Sequence, residues 1–167
     1  GVLLLDLGRI NEAEFSLKKA IKLNPNSANA HYNLGNTFIS QGKFDDGEKS
    51  LLKALKIKFD FAEAHLNLGN NFNRLGKFKE AEASLRKAIH FKPDYALAHY
   101  NLSHILLKFR TFKEGWEKYE WRWKLDTDNA KLKLKTNKPM WNPSMKGKVF
   151  IWPEQGIGDQ LLFLTLI

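Results

Sequence analysis

Three asparagines, Asn33, Asn67 and Asn101, recur at a spacing of 34 residues. A side-chain amide carries both donor and acceptor, so a row of them can pair with the backbone of another chain without reading its side chains. Asn36 and Asn70 keep the same spacing one turn later and widen the polar stripe, whereas the facing of Asn71 is left open. His31, His65 and His99 share the period. Metal binding by these three fails on distance: equivalent residues of neighbouring helical units lie about 10 Å apart, and each ligand of one zinc must come within about 2 Å of it. The rings are expected to pack between helices. Near the end of the chain, Gln155, Gly156 and Gly158 lead into Asp159. Glycines after a strand let backbone N–H groups and a helix N-terminus approach a phosphate, and Asp159 suits the cap of a helix beginning near Gln160.

The elements that must hold these residues repeat with them. HYNLGN from His31 returns as HLNLGN from His65 and HYNLSH from His99. A second half accompanies each: GRINEAEFSLKKAI from Gly8, GKFDDGEKSLLKAL from Gly42, GKFKEAEASLRKAI from Gly76 and RTFKEGWEKYEWRW from Arg110. Each unit reads as two helices. Gly42 and Gly76 mark the turn between them, where a left-handed backbone is needed; Pro25 and Pro93 close the second helix. Small residues (Gly35, Gly69, Ala13, Ala81, Ala20, Ala54, Ala88) fall where the helices approach closely. Ile10, Phe44, Phe78 and Phe112, with Leu17, Leu51, Leu85 and Tyr119, fill the core slots that stacked units share.

This pattern resembles the tetratricopeptide repeat family over residues 1 to about 124. The resemblance implies an all-α fold: an α-solenoid of about three and a half helix-turn-helix repeats, in units 1–27, 28–61, 62–95 and 96–125. The first unit is short, so the sequence is expected to begin inside a repeat. Departures are Gly47 and Gly115 where the family usually has alanine, Phe59 where it has proline, and Ser103 and Arg122. In such a solenoid the first helices line the concave side, which turns the asparagines into a ladder along a groove. The repeats of O-linked N-acetylglucosamine transferase carry asparagines at the matching position, and this resemblance implies that Asn33, Asn67 and Asn101 hold a peptide.

Trp116, Tyr119 and Trp123 stand at i, i+3 and i+7, an aromatic stripe on the last second helix expected to dock against the succeeding domain. Residues 126–145 read as a basic linker broken by Pro139 and Pro143. Residues 146–167 read as a strand, a glycine loop and an apolar helix, the truncated start of a Rossmann-like α/β domain. Trp141, Gly147-Lys148 and EQGIGD from Glu154 resemble the junction in bacterial repeat proteins that continue into a glycosyltransferase-like domain of heptosyltransferase type. That resemblance implies that Asp159 is a general base in a complete parent domain and that Gln155, Gly156 and Gly158 form a phosphate or acceptor loop. A sugar nucleotide would be the parent's cofactor; none is expected in this segment alone.

The longest apolar run, Leu161 to Ile167, is far below the roughly 20 residues that span a bilayer. There are no cysteines, which removes disulfides, thiolate metal sites and thiol catalysis. No leader is readable, and the expected location is cytoplasmic. The net charge of +9 is concentrated in residues 108–148, with 12 Lys/Arg against 5 Asp/Glu. Such a segment can attract nucleic acid, but lysines on solvated faces account for it and no nucleic-acid motif accompanies it. The expected function is a scaffold that binds an extended peptide or partner protein in the groove, with a following catalytic domain as neighbour and no membrane partner. The alternatives are the recruiting part of a glycosyltransferase acting on a protein or glycan acceptor and, behind it, a basic nucleic-acid adaptor.

Overall fold

The computed structural model describes residues 8–125, and every regular element among them is a helix. The chain divides into two compact units, residues 1–121 and 122–167. Among the described residues seven α-helices run in order: α1 (Ile10–Leu23), α2 (Ala28–Ser40), α3 (Phe44–Ile57), α4 (Ala62–Arg74), α5 (Phe78–Phe91), α6 (Ala96–Lys108) and α7 (Phe112–Tyr119). A 3-10 helix, Glu120–Lys124, ends the described chain. Helices α2, α4 and α6 are the first helices of their units and α1, α3, α5 and α7 the second. The asparagines, the small residues and the core leucines therefore sit on a repeating α-solenoid, as the 34-residue period requires.

The turn between first and second helix is built the same way three times. Gly42 and Gly76 have φ of 75° and 73°. Lys43, Lys77 and Thr111 donate their backbone N–H to the carbonyls of Phe38, Phe72 and Leu106, each at 2.9 Å, while Gly42, Gly76 and Arg110 donate to Ile39, Asn73 and Leu107. This is the Schellman arrangement, which needs a left-handed residue after the helix. Arg110 supplies it with φ of 60°, the one non-glycine with positive φ among the described residues. A side chain there costs roughly 1–2 kcal/mol, partly offset by the entropy glycine gives up on folding, about 0.5–1 kcal/mol. Arg110→Gly is expected to raise stability by about 0.5–1 kcal/mol, measured as a shift in the urea midpoint. No change, or a loss, would remove strain at this turn as a cost to the last unit.

Proline is not what ends the second helices. The helices α1, α3 and α5 stop at Leu23, Ile57 and Phe91, the same register, although only the first and third have the proline. The buried histidine of the next helix takes the carbonyl of residue i−6 in every case: His31 to Pro25 at 2.9 Å, His65 to Phe59 at 2.9 Å and His99 to Pro93 at 2.8 Å. Phe59 presents its carbonyl as the prolines do.

Between paired helices the spacing is set by small residues. A Cβ on Gly35 or Gly69 would lie 2.8 Å from Cγ of Leu51 or Leu85. The departures from alanine at Gly47 and Gly115 have a steric reason. A Cβ on Gly47 would meet Ile39 at 2.6 Å, and one on Gly115 would meet Leu107 at 2.7 Å. In the intervening unit the residue equivalent to Ile39 and Leu107 is Asn73, which is exposed, and Ala81 is accommodated. Ala54 and Ala88 are fully buried, but Ala20 is exposed, its unit's first-helix register lying before Gly8.

Leu17, Leu51 and Leu85 are buried as the pattern requires, with Leu66, Leu68, Leu102 and Leu106 extending the main core. The second expected row is only half-buried. Arg74 lies over the Phe44 ring and Lys108 over the Phe78 ring, at 5.8 and 3.7 Å; Phe109 meets Phe78 edge-on. Phe112 ends this row and is 55% exposed. Successive units are also tied at the surface. The Glu14 carboxylate, which accepts from Lys18 and Gln41, is held down to about 2 by those hydrogen bonds, Lys18 first. Lys77 meets Glu48 at 2.8 Å, and Arg86 holds Glu114 through two bonds of 2.7 and 2.9 Å.

Candidate binding groove

The asparagines do not act singly. Asn67 on α4 donates its amide N–H to Asn36 Oδ1 on α2 at 2.8 Å and to the Tyr32 hydroxyl at 3.1 Å. Asn101 on α6 donates to Asn70 Oδ1 on α4 at 2.7 Å. The same pair, 31 residues apart, thus joins each first helix to the next. What each pair leaves over is complementary: the amide groups of Asn36 and Asn70 remain as donors, and the Oδ1 atoms of Asn67 and Asn101 remain as acceptors. A backbone peptide group carries the matching acceptor and donor. Asn33 is half-buried and makes no side-chain hydrogen bond among the described residues; its partner in this register would be Val2, outside them.

Asn36, Asn67 and Asn70 line one cleft of about 250 Å³ together with Ile39, Ser40, Asn71 and Arg74. Asn71 is fully buried and donates Nδ2 to the Phe44 carbonyl at 2.9 Å, which anchors α4 to the start of α3. Its role was not legible because Thr37 and Ile105 stand at the equivalent positions. Arg74 is the only formal charge in the lining. Ser40, Arg74 and Lys108 share one register, the signal that could have marked it. A larger cleft, about 520 Å³ at the α4–α5 turn, is lined by Lys77, Phe78, Glu82 and Phe109 among others and contains none of the asparagines.

Each periodic histidine spends Nε2 on a backbone carbonyl, so the rings serve the turns. Among the described residues no cluster of metal-ligating side chains occurs. Burial, the largest cause, lowers the His65 pKa; the bond to Phe59 opposes this and the charge of Lys87 adds to it. The unfolded chain then takes up this proton first as pH falls. The His65 contribution to stability is intact above about pH 6.5 and is lost as pH drops through the folded-state value. Unfolding midpoints measured between pH 7.5 and 5 are expected to fall on acidification, and His65→Gln to flatten part of that fall; an unchanged slope would exclude His65 as a source.

Trp116 is 40% exposed and packs edge-on against Tyr119, at 5.5 Å. Tyr119 also meets Tyr100 at 5.6 Å. The α-helix ends at Tyr119, so Trp123 lies on the 3-10 turn, with the Arg122 guanidinium 4.3 Å from its ring. Three residues per turn do not continue an i, i+7 stripe. It is Trp121 that stacks flat on the His99 ring, 3.9 Å away at 5°. Asp159, Gln155, Gly156 and Gly158, the linker and the α/β start all lie outside the described residues.

Family models for the repeat agree with this geometry. One described as TPR repeat matches residues 1–42 and 69–108, and one described as tetratricopeptide repeat matches residues 28–61. The helical array is therefore an array of tetratricopeptide repeats. Solved structures share the fold. A crystal structure of MamA superposes with a TM-score of 0.69 at 24% identity, covering 77% of this chain and 75% of that one. PilF of Pseudomonas aeruginosa gives 0.69 at 24% over 75% of this chain and 58% of its own. The Arabidopsis OM64 TPR domain gives 0.63 at 26% over 65% and 89%. No curated protein sequence matches the chain. No helix among the described residues is long and apolar enough to cross a membrane.

Proposed function

We propose that the array is a protein-interaction scaffold that holds an extended peptide along α2, α4 and α6. The carrying observation is the pair of cross-helix asparagine bridges, each leaving one amide donor and one amide acceptor toward a ligand. The groups are positioned before binding, so little side-chain freedom is lost on engagement. They address the backbone, which makes recognition tolerant of sequence, while Arg74 favours an acidic or carbonyl-rich stretch beside it. Selection of a displayed random-peptide library on the full chain tests this. Enriched peptides should compete with one another and lose binding to a chain altered at Asn36 and Asn70. No enrichment, or peptides indifferent to those asparagines, would defeat the reading.

A second reading makes the array the recruiting arm of a glycosyltransferase, with Asp159 as base and a sugar nucleotide as donor. Its support is the EQGIGD segment of the sequence. The product of the parent gene, assayed for sugar transfer with and without Asp159→Asn, decides it: transfer unaffected by the change, or absent altogether, removes the reading.

A further inference from the structure

The second helices carry a regular set of lysines for which the groove has no use. Lys19 and Lys22 on α1, Lys53 and Lys56 on α3, and Lys87 on α5 recur at 34 residues, and all five are exposed. Other basic side chains on this array are engaged: Lys18 and Lys43 with Glu14, Lys49 with Asp46, Lys77 with Glu48, Arg86 with Glu82 and Glu114, Lys92 with Glu63. The five recurrent lysines make no ion pair among the described residues. The acids of these helices stand in the first turns or in the row Glu14, Glu48 and Glu82, which is taken up by those pairs. The latter halves of α1 and α3 thus present unneutralised positive charge.

Exposed aliphatic and aromatic groups are interleaved with that charge. On α1, Phe15, Lys19 and Lys22 are spaced i, i+4 and i+7, which places them on one helix face. Phe15 is 72% exposed. On α3, Leu52 and Ile57 flank Lys53 and Lys56 and are 46% and 38% exposed. A phosphodiester backbone would satisfy the lysines and gain nothing from leucine and isoleucine. The boundary between lipid headgroups and acyl chains satisfies both.

We propose that this face, formed by the latter halves of α1, α3 and α5, docks peripherally on an anionic lipid surface. The contact uses second helices, whereas the asparagine groove uses first helices, so docking leaves the groove open.

The test is flotation of the full chain with vesicles of phosphatidylcholine alone, or with about a third phosphatidylserine, at low and high salt. Binding is expected to the anionic vesicles only, and to weaken as salt screens the charges. Replacing Lys19, Lys22, Lys53, Lys56 and Lys87 by Gln should weaken partition by about a hundredfold or more, since each lysine near an anionic leaflet contributes a several-fold factor. Circular dichroism should be unchanged, because all five are solvent-facing. Gln at Lys131, Lys133, Lys135 and Lys138 is the control for the basic linker. Anionic binding that survives the five-lysine variant and disappears in the linker variant overturns the proposal. So does a chain that leaves anionic vesicles unbound while retarding single-stranded RNA or an acidic protein through the five lysines. Separately, Phe15→Ser should weaken vesicle binding at high salt with no effect on peptide capture, which distinguishes this face from the groove.

Discussion

Gly69→Val should lower the stability of the array by about 3 kcal/mol, at the upper end of what forced overpacking costs. The first Cβ alone would stand 2.8 Å from Leu85 Cγ and 3.1 Å from Cδ2, with the Ala81 carbonyl at 3.2 Å. Leu85 is 1% exposed and belongs to the main core, so it has nowhere to swing. The carbonyl belongs to α5, and moving it means moving the helix. In a solenoid each unit is stabilised by its neighbours, so prying α4 from α5 also weakens the contacts of α4 with α3 and of α5 with α6. Urea unfolding followed by circular dichroism measures the change. A loss below about 1 kcal/mol would mean that the crossing can open without penalty and that glycine is not what sets it.

Replacing Asn36 and Asn70 together by Ala should raise the Kd of a groove-bound peptide about 30-fold. Each substitution removes one free amide donor and breaks the bridge that orients Asn67 or Asn101. A net hydrogen bond is worth about 1 kcal/mol, so two make about 2 kcal/mol, and 1.4 kcal/mol is tenfold in affinity. Folding should be affected little, because these side chains are only half-buried and water can replace the lost partner. Titration calorimetry on wild type and variant, with peptides drawn from the library selection, gives the number. An unchanged Kd with an intact fold would place the ligand elsewhere.

Much of this was legible from residue order. A period of 34 residues, glycines at 42 and 76 after two of the first helices and small residues at matching offsets dictate a stack of helix pairs, because only that arrangement buries one face of every helix. The distance argument against a shared metal also needed only the period. The left-handed turn at Arg110 was signalled by its position in the register, although its residue type argues against that backbone.

Pairing was different in kind. That Asn67 spends its donor on Asn36, and Asn101 on Asn70, depends on how far one unit is rotated and raised against the next, a quantity set by the whole helix interface. The same holds for Asn71, whose amide finds the Phe44 carbonyl only because α4 seats against the start of α3. It holds for the glycines at 47 and 115, which answer to Ile39 and Leu107 across a crossing. It holds for Trp121, turned onto His99 because the last helix tightens to a 3-10 turn after Tyr119. Residue order alone settles which side chains share a helix face, since that comes from the 3.6-residue turn. Which faces meet, and which polar atoms are left over, was settled in three dimensions, because both depend on side-chain volumes summed across neighbouring helices.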